Sequence, residues 1–216
     1  MSAVRRLAAC ALTLMVAAAC LSRVPATSYF RVAGPPELNH ECPRRYSAPY
    51  TLAVMPFGAS PALRQTALLY RPSPYELASY GFSRWEATPA QMLTERLEDY
   101  LESCRLFGGV TRYGLSAEPE LLLRGRLTDF QEVDGPQGPQ AELGLEAELV
   151  SLSGSEVVWQ GRLTARTPMA ERSPEELARA MSESLAAVLA EMAAQLGPAL
   201  ERFACAKGGQ GARPRP

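Results

Sequence analysis

Side chains able to do covalent or metal chemistry are few in this chain of 216 residues, which has one histidine and five cysteines. A Ser–His or Cys–His pair would have to use His40, which lies in a polar, proline-rich stretch typical of a solvated loop. The cysteine spacings resemble no metal site, and no glycine-rich phosphate loop is present. The spacing of the carboxylates singles out no acid–base pair. The sequence therefore predicts no enzyme active site, no metal site and no cofactor.

Cys20 is the residue whose surroundings predict a definite reaction. Arg5 and Arg6 form a basic start, and the 13 residues 7–19 are apolar except for Thr13. Spanning a bilayer takes roughly 20 residues, so this run predicts a signal peptide rather than a transmembrane helix. The small residues just before Cys20 resemble a bacterial lipobox, in which the cysteine thiol takes the lipid. We therefore expect the mature chain to begin at Cys20 and to carry acyl chains such as palmitate there.

Two alternatives to lipidation at Cys20 follow from the same segment. Ala17 stands where a lipobox usually has leucine, and the residues leading to Cys10 fit that pattern better locally. Because no apolar run precedes Cys10, we reject it. The other alternative is an ordinary signal peptide cut near Ala19, with Cys20 incidental. By analogy with known lipoproteins, Leu21 in place of an aspartate favours the periplasmic face of the outer membrane over the inner membrane.

The mature chain has the length of a single domain. We assign residues 1–19 to the signal peptide, 20–28 to a lipidated tether, 29–205 to one domain and 206–216 to a disordered tail. Removing Arg5 and Arg6 takes the net charge from −1 to −3, counting the amine of Cys20 as acylated. This charge does not indicate a nucleic-acid binder.

Three cysteines remain in the mature chain besides Cys20. The bacterial periplasm is oxidising, so one disulfide among Cys42, Cys104 and Cys205 is expected there. Three thiols allow three single pairings, and the sequence leaves the pairing open.

Two amphipathic helices begin with the same capping pattern. Thr88 is followed by Pro89 and, three residues after the cap, by Gln91; Ser173 is followed in the same way by Pro174 and Glu176. Each cap leads into an apolar stripe at helical spacing. Gly197 and Pro198 should end or kink the second helix.

Strands are predicted both before and between these helices. Residues 29–32 and 50–55 read as single strands, and residues 67–70 and 75–82 as a hairpin. From residue 121 to residue 165, apolar residues recur at every second position. This alternation predicts an antiparallel three-strand meander with one apolar and one polar face. The predicted fold class is α+β, with a mixed or antiparallel sheet and two main helices packed on one face.

The register of the meander can also be predicted. A three-residue loop at 153–155, with Gly154 available for a positive φ, pairs Leu145 with Leu163. The polar face then places Glu146 opposite Arg162 and Arg126, Glu142 opposite Arg166, and Arg124 opposite Glu148. Such a ladder is either a solvated, self-neutralised sheet face or a partner-binding surface, and the sequence favours the first.

Both tryptophans fall where a side chain could close the core. Trp85 precedes the first helix cap, and Trp159 lies on the apolar face of the meander. Contact with lipid or a partner is the alternative for each. Trp85, together with Tyr80 from the same segment, is our candidate for such contact.

The order of elements and three blocks of residues carry a family resemblance. The blocks are residues 69–110, which include Tyr80, Trp85 and Pro89; residues 123–130; and residues 156–161, which close a hairpin. Together with the lipobox, they resemble the auxiliary lipoprotein family of ABC-type transport systems, the PqiC-like group. Departures from that family are an insertion at 34–49, which carries Cys42, and the arginine-rich tail.

The resemblance implies both a fold and an accessory role. The implied fold is a mixed sheet with helices on one face, similar to the amino-terminal domain of TolB-like proteins. The implied partners are an ABC permease and ATPase, reached through a periplasmic protein of the mammalian-cell-entry type, in a system that moves lipids. Association with further copies of this chain, as a homo-oligomer, is a further possibility.

We therefore expect a non-enzymatic outer-membrane lipoprotein that assists lipid transport by docking or by forming part of a conduit. The second hypothesis is a lipoprotein activator or adaptor of cell-wall synthesis, and the third is a periplasmic hydrolase with an unrecognised site.

Overall fold

The structure is a computed structural model that describes residues 25–34, 42, 47–114 and 118–210. Cys20, His40 and residues 211–216 lie outside the described residues. The signal peptide and most of the predicted tether lie outside them as well.

Nine strands form one mixed sheet in the described part of the chain. They are β1 (Ser28–Phe30), β2 (Thr51–Val54), β3 (Gly58–Ala59), β4 (Ala67–Ser73), β5 (Glu76–Trp85), β6 (Gly109–Arg112), β7 (Leu121–Gly135), β8 (Gly138–Ser151) and β9 (Glu156–Pro168). The same described residues also contain two long helices, α1 (Pro89–Cys104) and α2 (Pro174–Gln210), and one 3₁₀ turn at Pro61–Leu63. The predicted α+β fold class, with its C-terminal meander, is confirmed.

The long strand β7 organises the sheet. Along one edge it pairs in parallel with β2, then β3, then β4, and along its other edge it pairs antiparallel with β8. β9 continues the meander beyond β8, while β5 and then β1 extend the sheet beyond β4. Each short parallel strand therefore docks on a different part of one long strand.

Local capping explains where both helices begin. The amide and hydroxyl groups of Thr88 both donate to Gln91 Oε1, over 3.1 and 2.7 Å. At the second helix, Ser173 Oγ accepts from the amide of Glu176 at 3.2 Å. These capping bonds at the helix starts satisfy amides that a helix leaves without a partner at its first turn. α1 ends where Arg105 takes a left-handed conformation with φ 51°.

The apolar faces of the sheet and of both helices meet in one core. Trp85 and Phe130 pack edge to face with ring centroids 5.2 Å apart. From α2, the side chains of Leu177, Met181, Leu185, Val188, Met192 and Leu196 are all buried. The stripe read from the sequence is therefore the face that α2 presents to the sheet.

The sequence predicted that Gly197 and Pro198 would end or kink the second helix. The helix does not end there, because α2 continues to Gln210 with Pro198 inside it. An internal proline costs about 3 kcal/mol. Beyond it, Leu200 and Phe203 are buried, and Phe203 packs edge to face on Tyr50 at 5.4 Å. Burial of two such side chains contributes roughly 1.5–3 kcal/mol each, which offsets the proline. Residues 206–210, predicted as part of a disordered tail, are therefore helical.

The register of the meander is confirmed, whereas its turn differs from the prediction. Leu145 pairs with Leu163, and Glu146 pairs with both Arg162 and Arg126. However, Ser151 pairs with Glu156, and Ser155 rather than Gly154 takes the positive φ, at 51°. A bulge at Val158 then restores the predicted register from Trp159 onward, because one extra residue shifts the pairing by one place.

Candidate functional site

The polar face of the meander carries the predicted ladder of arginines and glutamates. The Arg124–Glu148 pair is 2.7 Å apart, Arg126–Glu146 3.1 Å, Arg162–Glu146 3.7 Å, and Arg166 Nε to Glu142 Oε1 2.8 Å. Cross-strand pairs of opposite charge hold neighbouring strands in register. Glu146 lies between two arginines and is the centre of the ladder.

A depression of about 730 Å³ crosses this polar face. Its floor is a row of three small residues, Gly125, Ala147 and Gly161, which pair directly with one another across β7, β8 and β9. One wall carries Arg124, Glu148 and Gln160, and the other carries Arg126, Glu146 and Arg162. Met55 and Pro56, just after β2, close one end. The result is a shallow trough with charged walls and an uncharged floor.

Close packing beneath the trough explains the glycine in its floor. A Cβ atom at Gly125 would clash with the backbone carbonyl oxygen of Glu146 and would lie 2.7 Å from Phe57 Cε1. Both contacts are closer than a side-chain carbon tolerates. Gly125 therefore allows β7 and β8 to approach Phe57, while Arg124 and Arg126 on either side face the trough.

A second, smaller depression of about 360 Å³ surrounds Tyr80. The Tyr80 hydroxyl donates to Glu132 Oε2 at 2.5 Å, and Arg172 Nη1 lies 3.0 Å from Glu132 Oε1. Arg172 also pairs with Asp134. Tyr70 packs on Tyr80 with ring centroids 5.2 Å apart. Burial, followed by the hydrogen bond to Glu132, raises the pKa of Tyr80 above its ordinary value of 10.

The two aromatic candidates from the sequence lie in different environments. Tyr80 is half-buried and lines the second depression, with its hydroxyl engaged by Glu132. Trp85, proposed for lipid or partner contact, is buried at the end of β5, where its ring contacts Phe130. It is a core residue whose side chain is not accessible to lipid or a partner. Trp159 is also buried, and its Nε1 donates to Gln195 at 3.2 Å.

Sequence reasoning missed the Glu132–Arg172 pair. Glu132 is only 1% exposed although it is charged. It lies in a polar stretch whose sequence gives no sign of burial. Arg172 comes from the loop before α2, and only the fold brings the two together. The sole local signal is that Arg172 immediately precedes the cap residue Ser173.

Cys42 and Cys104 form a disulfide with Cα atoms 5.2 Å apart, and Cys205 is an exposed free thiol. The bond ties the segment before β2 to the last residue of α1. Within the described ranges, no three histidine, cysteine or acidic side chains gather as metal ligands would. No helix in that same part of the chain combines the length and apolarity needed to cross a bilayer.

Several solved structures share this fold. Protein XCC0632 from Xanthomonas campestris superposes with a TM-score of 0.72 at 19% identity, covering 83% of this chain and 99% of its own. An uncharacterized protein gives 0.59 at 16% identity, covering 81% and 98%. The hypothetical protein CT253 from Chlamydia trachomatis gives 0.51 at 11% identity, covering 71% and 98%. At these identities the likeness extends to the fold alone.

Sequence comparison identifies the family directly. No curated protein matches the chain. The family described as "ABC-type transport auxiliary lipoprotein component" matches residues 38–193, which include both depressions and most of the sheet. The chain therefore belongs to the ABC-type transport auxiliary lipoprotein family.

Proposed function

We propose that this protein is lipidated on Cys20, faces the periplasm from the outer membrane, and serves a lipid-transporting ABC system as a non-enzymatic accessory component. It would dock the periplasmic protein of the mammalian-cell-entry type or form part of a conduit with it. The family match over residues 38–193 is the observation that carries this proposal. The basic, apolar and small-residue segments that lead to Cys20 support the anchor.

The trough on the meander is our proposed docking surface. α2 covers the other face of β8 and β9, whereas the Arg124–Glu148 and Arg126–Glu146 pairs are open to solvent. Exposed ion pairs of this kind contribute only about 0–1 kcal/mol each, so a partner can exchange them at little cost. Charged groups across an interface contribute mainly to orientation and partner choice. The trough therefore suits a partner with its own alternating charges.

Copurification from crosslinked cells tests the proposed partner. The full-length acylated protein should recover the mammalian-cell-entry type protein together with the permease and ATPase. Glu146→Arg places three arginines side by side and should reduce this recovery several-fold. Glu201→Arg, an exposed site on α2, is the matched control and should leave recovery unchanged. Recovery of a penicillin-binding protein instead would favour a role in cell-wall synthesis, and normal recovery with Glu146→Arg would exclude the trough.

The anchor is tested separately. A Cys20→Ala protein should fold normally but fail to support transport, because the docking module is no longer held at one membrane. Circular dichroism checks the fold, and complementation of a deletion strain checks function. Full complementation by Cys20→Ala would show that the anchor is dispensable.

A further inference from the structure

Large exposed apolar side chains concentrate along one edge of the sheet. Among the described residues, seven large apolar side chains are exposed, and four of them lie on β1, on β5 or in the turn before β5. These are Tyr29 (70% exposed), Tyr75 (99%), Leu77 (43%) and Phe82 (48%). We call these four residues the β1–β5 edge. Their concentration on one edge marks it as a candidate interaction surface.

This edge is only partly covered by other strands. β1 runs parallel to β5 but pairs only with Ser83, Arg84 and Trp85. Glu76–Phe82, the longer part of β5, has no neighbouring strand on that side within the described ranges. An open strand edge with exposed apolar side chains is a surface that proteins usually cover or use.

The irregular part of β5 that carries Phe82 is held in a fixed conformation. Between its pairings at Arg84 and Ser79, β5 has extra residues relative to β4. Arg84 Nη1 donates to the carbonyl oxygens of Tyr80, Gly81 and Ser83, at 3.2, 2.9 and 2.8 Å. These bonds fix the backbone on both sides of Phe82. The side chain is therefore presented to solvent by a rigid segment.

The edge is also the part of the domain next to the anchor. Ser28, the first residue of β1, lies eight positions after Cys20. Eight residues span at most about 28 Å when fully extended, so the acyl chains hold Tyr29 close to the bilayer. A short linker of this kind raises the effective concentration of the attached surface to the millimolar range. Even a weak contact between the edge and the membrane would then be occupied.

We infer that the β1–β5 edge is a membrane-contact surface that lies in the headgroup region of the bilayer holding the Cys20 lipid. The inference rests on the lipidation in the proposed function. Tyrosine and other aromatic side chains favour this interface, where the ring is buried and the hydroxyl group stays hydrated. Arg84, the single arginine of β5, is engaged by backbone carbonyls, so apolar contact rather than charge drives the binding.

The contact would orient the whole domain. In the sheet, β4 and β7 separate β5 from β8. With the β1–β5 edge on the membrane, the trough on β7, β8 and β9 is held away from the lipid. A lipid anchor alone would leave this orientation free, whereas a second contact fixes it.

Spin labels on the acylated protein test the contact. In a Cys205→Ser background, nitroxide is placed at Phe82→Cys, at Tyr75→Cys, or at the control Leu152→Cys, which is 44% exposed at the β8–β9 turn. Each protein is reconstituted in phosphatidylethanolamine–phosphatidylglycerol vesicles without reductant, so that the Cys42–Cys104 bond stays intact. Collision with a water-soluble nickel chelate should be several-fold lower at positions 82 and 75 than at 152. High salt should not change this difference.

Each other outcome has a definite meaning. Equal nickel accessibility at the three positions on acylated protein would overturn the inference and leave the proposed transport role standing. Spin–spin broadening at position 82 that disappears on dilution with unlabelled protein would assign the edge to a second copy, and would overturn the inference as well. Mass spectrometry that finds no acyl chains on Cys20 would contradict the lipidation itself. Tyr75→Cys, at a fully exposed turn, guards against misfolding at position 82.

Discussion

Glu132 is the residue whose environment is least expected from its type. A carboxylate removed from water costs several kcal/mol unless its charge is matched and its oxygens are hydrogen-bonded. Here both oxygens are used, since Oε2 accepts from Tyr80 and Oε1 pairs with Arg172. The cluster thereby joins the end of β7 to β5 and to the loop before α2. Its role is to fix those three segments relative to one another.

At the residue scale, Tyr80→Phe should destabilise the protein by about 1–3 kcal/mol, because it leaves one oxygen of a buried carboxylate without its donor. Urea unfolding at neutral pH measures the loss. Tyr70→Phe is the matched control, since Tyr70 lines the same depression and packs on the same ring. Equal stability of Tyr80→Phe and the parent protein would show that water replaces the hydroxyl without cost.

The start of α2 depends on a second carboxylate, Glu176. Its side chain accepts from the amide of Ala170 at 2.9 Å and pairs with Arg179 at 2.7 Å. The hydrogen bond with Arg179, followed by that with Ala170, lowers the pKa of Glu176 from 4.5 to about 2. The ionised form is therefore favoured in the folded protein.

This pKa predicts how stability responds to acid. A carboxylate with a lowered folded pKa contributes stability above its unfolded pKa, and the contribution is lost as pH falls through the folded value. Glu176→Gln should therefore weaken the pH dependence of unfolding between about pH 4.5 and 2. Glu175→Gln removes the same charge from the same turn and serves as the control. Identical acid profiles for Glu176→Gln and the parent would contradict the assignment.

At the scale of elements, the sequence was most informative where apolar and polar residues alternate, so that one face of a strand is clearly apolar and the other polar. Residues 141–149 alternate strictly, so a slip of one place would bury Glu146 and expose Leu145. That cost fixes the register, and the ladder could be predicted with it. β3 and β6 were missed because they are two and four residues long and their sequences do not alternate.

Long-range packing decided what the sequence could not. Leu200 and Phe203 are buried beyond Pro198, and Tyr50, on which Phe203 packs, lies some 150 positions earlier in the chain. Arg172 and Glu132 are likewise brought together across 40 positions by the fold. The secondary-structure propensity of the local sequence predicts neither contact. The trough could therefore be anticipated from period-two strands, whereas the Tyr80 depression could not.

Gly125 is the element-scale test of the trough. Gly125→Ala forces a methyl group into Phe57 and the β8 backbone, and should cost about 1–3 kcal/mol, as overpacking usually does. Gly58→Ala is the control, because its Cβ would meet Arg126 at an ordinary 3.6 Å. Urea midpoints compare the two variants. A Gly125→Ala protein as stable as Gly58→Ala would mean that β7 can move away from Phe57 without loss.

At the scale of the whole molecule, the two ends of the sheet have different surfaces. The β1–β5 edge follows the proposed anchor in sequence and carries apolar side chains, whereas β8 and β9 carry paired charges. Such a separation matches a module held at a membrane on one side and open to a protein on the other. One covalent bond contributes to the stability of the whole domain.

The Cys42–Cys104 disulfide links positions 62 residues apart. In the chain-entropy description, closing a loop of that length stabilises the folded state by about 4 kcal/mol, since the unfolded chain loses conformations. A Cys42→Ala/Cys104→Ala protein should therefore unfold at a clearly lower urea concentration, and dithiothreitol should bring the parent to the same midpoint. Cys205→Ser, which removes only the exposed free thiol, should behave like the parent. Equal midpoints for the double variant and the parent would mean that the segment before β2 is held by packing alone.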